Sequence, residues 1–141
     1  MREVDQITAE IVDAAYHLHR RLGPGLMESV YSSLLAQLLE RRGLRVEREK
    51  RLTFEVDGLR FEEGLRLDLL VEGRVIVELK SVEKLAPVHS KQLLTYLRVL
   101  DLRVGLLINF GAPTLKEGIQ RVVNAHRASH DSPLRLNQAI G

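Results

Sequence analysis

The hydrophobic period of this chain changes at Gly43. Before it, apolar residues recur every three or four positions; after it, they recur every second position. A helical spacing that gives way to a strand spacing calls for helices packed on a sheet, because each face has to be buried against the other. Ile7, Ile11, Ala14 or Ala15, Leu18 and Leu22 predict a first helix over about Asp5 to Arg21, capped by Asp5 and stopped by Gly23-Pro24-Gly25. Val30, Tyr31, Leu34, Leu35 and Leu38 give a second over about Met27 to Arg42, with Gly43 as the expected C-cap.

The alternation that follows predicts strands. Leu44, Val46, Arg48 and Lys50 alternate with charged residues, then Leu52, Phe54 and Val56 do the same. Asp57-Gly58 reads as a hairpin turn, and Leu59 and Phe61 begin the return strand. Leu65, Leu67, Leu69 and Val71 share one predicted face, and Val75, Val77 and Leu79 form the next strand. Pro87 opens a third helix that runs to about Leu100. Leu102 to Phe110 is nearly all apolar, as a strand buried on both faces would be. After Gly111-Ala112-Pro113 a last helix is expected over about Leu115 to Arg127, followed by a loose tail. The order ααβββ(β)αβα describes an α/β chain, a mixed β-sheet flanked by helices. Its 141 residues suit one domain, expected over 1–127 with a C-terminal tail over 128–141.

Composition narrows the function. Hydrophobic residues at 45% and charged residues at 28% are globular values. No apolar run is long enough for a membrane span, and Met1-Arg2-Glu3-Val4-Asp5 is not a signal peptide. Without cysteine there is no disulfide framework, zinc knuckle or thiol nucleophile, and a cytoplasmic protein is the expectation. The net charge of +2 does not by itself imply nucleic acid. Sixteen of the 21 basic residues are Arg, the better fork for phosphate, while six aromatics and no Trp make a poor base-stacking platform. Any contact with nucleic acid should therefore go through its backbone.

Three charges sit where a strand should be apolar. Asp68 lies inside Leu67-Asp68-Leu69-Leu70-Val71, and Glu78 and Lys80 bracket Leu79 after Val75-Ile76-Val77. Burying unpaired charge costs several kcal/mol, so these positions call for a reason. Glu78 and Lys80 share a face by parity. A two-residue turn at Glu72-Gly73 would set Asp68 opposite Val77 and on the other face. A three-residue loop, Val71-Glu72-Gly73, would pair Leu70 with Arg74 and Asp68 with Ile76, bringing Asp68, Glu78 and Lys80 to one face; Gly73 at its left-handed position favours this register. Two carboxylates and a lysine so placed suit a hard divalent cation, Mg²⁺ or Mn²⁺, which would activate water and polarise a phosphodiester. The alternative is a structural Glu–Lys pair with Asp68 at a strand end.

Two helices add polar groups. Glu28, Tyr31 and Leu35 are spaced to share the apolar face of the second helix, although a Glu there is also favoured simply by the helix N-terminus. On the third helix His89, Gln92 and Tyr96 line one edge, either as part of a site or as a surface ridge. Arg41 to Arg51 carries six positive charges interrupted by Glu47 and Glu49; a solvated face is favoured over a phosphate track. His17 and His19, two apart on a helix, cannot share a face and are read as non-ligands.

Gly25-Leu26-Met27-Glu28-Ser29-Val30-Tyr31 resembles the GxxExxY pattern of the GxxExxY protein family, within the PD-(D/E)XK nuclease-like superfamily. The resemblance continues through Gly64-Leu65-Arg66-Leu67-Asp68, Val77-Glu78-Leu79-Lys80, Pro87-Val88-His89, Gln92 to Leu97 and Gly105 to Phe110, covering roughly Ile7 to Val123. It implies a restriction-endonuclease-like core and a divalent-metal-dependent nuclease, acting on DNA ahead of RNA. It also implies roles: Asp68 and Glu78 as metal ligands, Leu79 as donor of a backbone carbonyl, and Glu28 as the helix carboxylate completing the site. Lys80 is the lysine of the (D/E)XK motif, and Gln92 and Tyr96 match an element that orients the lysine or a phosphate. Leu67 stands in place of the superfamily's proline, and Leu65 where an aromatic residue is expected. The expected partner is nucleic acid, with no membrane; the oligomeric state is open, a homodimer included. The rival reading is a catalytically silent nucleic-acid-binding or protein-interaction module that keeps the fold.

Overall fold

A computed structural model describes residues 3–125 and, as backbone, 134–137. The elements in chain order are α1 (Val4–Leu22), α2 (Glu28–Arg41), β1 (Val46–Val56), β2 (Leu59–Val71), β3 (Val75–Lys80), α3 (Pro87–Leu100), β4 (Val104–Asn109), α4 (Leu115–Gly118), β5 (Ile119–Val123) and β6 (Leu134–Asn137). Among the described residues the strands form one six-stranded sheet, ordered β5-β4-β3-β2-β1-β6. Only β3 and β4 run parallel, with α3 as the crossover between them; the other neighbours are antiparallel.

Two apolar layers enclose the sheet. On one face Ile7, Ile11, Tyr31, Leu35 and Leu39 of α1 and α2 pack on Leu69, Val77, Leu106 and Ile108. On the other, Leu93 and Leu97 of α3 pack on Leu67, Leu70, Ile76 and Leu107. Every residue of β4 is buried, as its unbroken apolar run predicts. Asp57 and Gly58, both at positive φ, make the expected two-residue hairpin that pairs Val56 with Leu59.

Several expectations need correction. The cap of α1 is Glu3, whose N–H donates to Gln6 Oε1, and Asp5 instead pairs with Arg121. Val30 is exposed rather than part of the α2 stripe. The helix expected over Leu115 to Arg127 ends at Gly118, and Ile119–Val123 run as β5 beside β4. The free edge of β4 supplies partners for that backbone, which outweighs the helical spacing of Leu115, Ile119 and Val122. Within the expected tail, Leu134–Asn137 form β6 on the edge of β1; residues 126–133 and 138–141 lie outside the described residues.

The β2–β3 loop also differs. Strand pairing resumes at Val71↔Val75, with Leu70 opposite Ile76, so the loop is Glu72-Gly73-Arg74 rather than Val71-Glu72-Gly73. Glu72 and Gly73 are both left-handed, and the Arg74 N–H donates to Val71 O. Glu72 is drawn into the loop by Arg45: its N–H donates to Arg45 O at 2.8 Å, and its Oε2 accepts the Arg45 N–H at 2.6 Å. The register moves by two residues, so parity is kept, but Asp68 now comes opposite Glu78.

The β1–β2 register shifts between Leu52 and Phe54, and the alternation of faces breaks at another place. Leu65 and Leu67 pack toward α3, whereas Leu69 and Val71 pack toward α1 and α2. On β1, Leu52 and Phe54 pack toward α3, and Val46 packs on the opposite layer. Both strands exchange faces between the pairs Arg48↔Leu69 and Lys50↔Leu67, across Glu49 and Asp68, and Glu49 there has φ 48°. The charged position thus reverses the pleat, which the residue pattern alone could not show.

The ends of β3 and β4 are held by Asn109. Its Oδ1 accepts the Val82 and Gly111 N–H groups, both at 3.0 Å, and its Nδ2 donates to Val82 O at 2.8 Å. Gly111 lies so close that a Cβ would meet Val82 O at 2.3 Å. Gly111→Ala should therefore lose about 1–3 kcal/mol of stability, read as a lower urea midpoint with an unchanged slope.

Candidate active site

The β2–β3 ladder ends at Leu69↔Val77, and the two strands part. Side chains take over the backbone groups left there. Asp68 N–H donates to Glu78 Oε1 at 3.2 Å, and Leu79 N–H donates to Asp68 Oδ2 at 2.9 Å. The exchange brings the two carboxyl groups together. Glu78 is 8% exposed.

Burial, first, and then the Asp68 charge push the Glu78 carboxyl up to about 8; a hydrogen bond to the Asp68 side chain adds to this, while the Asp68 N–H and the charge of Lys80 oppose it. On α3, burial raises the Tyr96 phenol, and the charges of Glu78 and Asp68 raise it further. Arg66 and a hydrogen bond with Gln92 act in the opposite direction. Gln92 and Tyr96 thus stand by the carboxylate pair. His89 does not join them as a free ligand: its Nδ1 accepts the Ala86 N–H at 3.0 Å, at the start of α3.

On the other side of Asp68 opens a cleft of about 680 Å³ that Glu28, Arg48, Arg66, Leu79 and Ser81 also line. Glu28 is the first residue of α2 and is exposed. It does not share the core face with Tyr31 and Leu35, because it projects from the helix end beyond the packed turns. Tyr31 is fully buried beneath it, stacked on Phe110 with ring centroids 4.3 Å apart. The Tyr31 hydroxyl donates to Gly23 O at 2.5 Å and accepts the Leu26 N–H at 3.2 Å. The Ser81 hydroxyl donates to Leu26 O at 2.6 Å and ties the same loop to the end of β3. In Gly25–Tyr31 the Tyr is therefore the brace of the loop that delivers the Glu.

Asp68, Glu78 and the backbone of Leu79 are in direct contact; Glu28 shares only the cleft with Asp68. Lys80 is half-buried at the end of β3. Among the described residues, no three His, Asp or Glu side chains group closely enough to form a complete metal cage. Sequence reasoning missed Ser81 and Asn109, although one directly follows Glu78-Leu79-Lys80 and the other ends the apolar run of β4. The basic segment divides: Arg42 binds Glu10 and Asp13 of α1 at 2.9 and 2.8 Å, Lys50 pairs with Glu47, and Arg48 faces the cleft. His19 is buried and its Nε2 meets Ala112 O at 3.0 Å, so it is engaged in the fold.

A mixed sheet with helices on both faces and an acidic pair at the parting of two central strands defines a restriction-endonuclease-like α/β fold. The family model of the PD-(D/E)XK nuclease superfamily matches residues 5–122, and the chain belongs to that superfamily. No match was found among curated proteins or solved structures. No helix among the described residues is long and apolar enough to cross a membrane.

The raised carboxyl has a pH consequence. Between 4.5 and about 8 the folded chain holds a proton on Glu78 that the unfolded chain has released. Its stabilising contribution is full below that window and is lost as pH rises through it. In chelator, the melting temperature should fall across this range, and Glu78→Gln, which keeps the shape without the titration, should flatten the fall. A thermal scan in which both proteins show the same slope would remove Glu78 as the cause.

Proposed function

We propose that this chain is a divalent-metal-dependent nuclease that hydrolyses phosphodiester bonds, in DNA ahead of RNA. Membership of a nuclease superfamily supports the reaction class. The observation that carries the reading is the contact of Asp68 and Glu78 at the parted strand ends, with Lys80 two residues on. The Gly25–Tyr31 pattern further supports a place in the GxxExxY family.

The donors fit a divalent ion. Two hard carboxylates are held together in a mostly buried place, with Arg66 Nη2 3.9 Å from Asp68 Oδ1 as the nearby cation, and a hydrated Mg²⁺ or Mn²⁺ takes one or two carboxylates together with waters. Asp68, Glu78 and the Leu79 carbonyl would hold it, with Glu28 across the cleft as the further oxygen donor. When bound, the ion lowers the pKa of water and offsets charge on the phosphoryl oxygens.

The remaining steps belong to the chain. Lys80, a cation that cannot ligate a metal, orients the attacking water and offsets the negative charge that develops at phosphorus. Gln92 and Tyr96 steady Lys80 or a phosphate oxygen from α3. The Tyr31 brace keeps Glu28 facing the cleft, so the carboxylates need no rearrangement when substrate enters.

The test is cleavage of linear, circular, single-stranded and RNA substrates in Mg²⁺ or Mn²⁺. Lys80→Ala should reduce the rate about a hundred- to a thousandfold, the loss typical when one transition-state donor is removed, and leave metal binding nearly unchanged. Asp68→Ala should lose both together. If the wild type binds nucleic acid, cuts none of these substrates and has a melting temperature indifferent to either ion, the silent-module reading replaces this one.

A further inference from the structure

Arg66 holds a position that stability does not explain. Leu65 and Leu67 on either side pack toward α3, so the Arg66 side chain faces the cleft. Its Nη1 donates to Glu49 Oε1 at 2.9 Å, and its Nη2 lies 3.9 Å from Asp68 Oδ1. Glu49 is the residue at positive φ where the pleat reverses. Such a backbone is strained, and an exposed ion pair contributes little to stability. The register also sets Arg51 directly opposite Arg66, an unfavourable pairing of like charges, and Arg48 lines the same cleft. Two guanidinium groups lining the cleft beside an acidic pair, with a third on the neighbouring strand, match an anion more than they match each other.

We propose that Arg66 grips a phosphate of the nucleic-acid backbone beside the carboxylate pair, and that Glu49 is its positioning residue. This rests on the nuclease reading and adds how that site holds its substrate. The guanidinium fork carries five donors, and Glu49 fixes Nη1 while Nη2 faces Asp68 in the cleft, leaving donors for a phosphate. The same charge faces Asp68, so Arg66 opposes a divalent ion there and favours a phosphate.

That double position gives the test its sign. Removing Arg66 should weaken nucleic-acid binding and strengthen divalent-ion binding, whereas a merely structural loss would weaken both. Binding to a labelled duplex is measured in Ca²⁺, which supports binding without cleavage in many metal-dependent nucleases, over a salt series. Mg²⁺ affinity is measured without nucleic acid, by the rise in melting temperature with ion concentration. Arg66→Ala should bind the duplex about ten- to a hundredfold more weakly, as for a lost charge-assisted hydrogen bond, with a salt slope reduced by about one. Its Mg²⁺ titration should move to lower concentration. Arg66→Lys should recover the salt slope but only part of the affinity, because an ammonium keeps the charge and loses the fork. Glu49→Gln should weaken binding less than Arg66→Ala and leave the slope unchanged. Unchanged duplex affinity and slope in a folded Arg66→Ala protein, beside a binding wild type, overturn the proposal and leave the nuclease reading standing. A wild type that neither binds nor cuts nucleic acid overturns both.

Discussion

Asp68 and Glu78 meet where β2 and β3 separate, and each accepts a backbone N–H at a point where the ladder has ended. Two carboxyl groups in contact and mostly buried would ordinarily be removed from a core. Here they terminate the ladder, and several neighbouring features follow from them. The Glu78 carboxyl is pushed up because burial and the Asp68 charge both disfavour its ionisation. At Asp68, β2 and its partner β1 exchange faces, which sends Leu67 to the α3 layer while Leu69 stays with α1 and α2. The sheet opens at this point, and the cleft occupies the opening.

Rigid supports hold the opening from two sides. Below α2, the Tyr31 ring lies on Phe110 and its hydroxyl fastens the Gly23–Leu26 loop, so Glu28 is set by a buried ring rather than by its own exposed contacts. Beyond β3, Asn109 binds both backbone groups of Val82. Phe110, which carries the Tyr31 stack, also donates its N–H to Lys80 O. One residue at the end of β4 thus links the brace of the α2 loop to the strand that bears Glu78 and Lys80. Carboxylates and lysine mounted on this framework keep their spacing.

Much of the fold was legible because its period was unambiguous. The observed α3 has the expected bounds, Pro87–Leu100, and α1 and α2 differ from theirs by a residue at each end. The apolar run of β4 and the Asp57-Gly58 hairpin also read directly. The positions of Asp68, Glu78 and Lys80 stood out as charge in apolar strands. What could not be read depends on contacts distant in sequence. Residues 119–123 have a helical spacing that the open edge of β4 overrides. The register of the β2–β3 loop depends on Arg45, far away on the chain, binding both ends of Glu72. The apolar face expected for Glu28 failed because spacing says which residues align, not where a helix begins relative to the sheet.

The pleat reversal separates these two kinds of information most clearly. Alternation from Leu65 to Val71 is regular in the sequence, and its regularity implies one buried face. The structure buries that series on both faces, divided at Asp68. A strand that changes sides can do so only where a residue is released from ordinary pairing, and at this point the released residues are Glu49, at φ 48°, and Asp68, whose carboxylate binds Leu79 rather than solvent alone. An apolar residue at 68 could complete a regular ladder but would leave the Leu79 N–H without this acceptor and Glu78 without its partner. The charge that looked out of place in the alternating pattern is therefore what allows the pattern to serve two cores, and the same substitution that would regularise the strand would close the site.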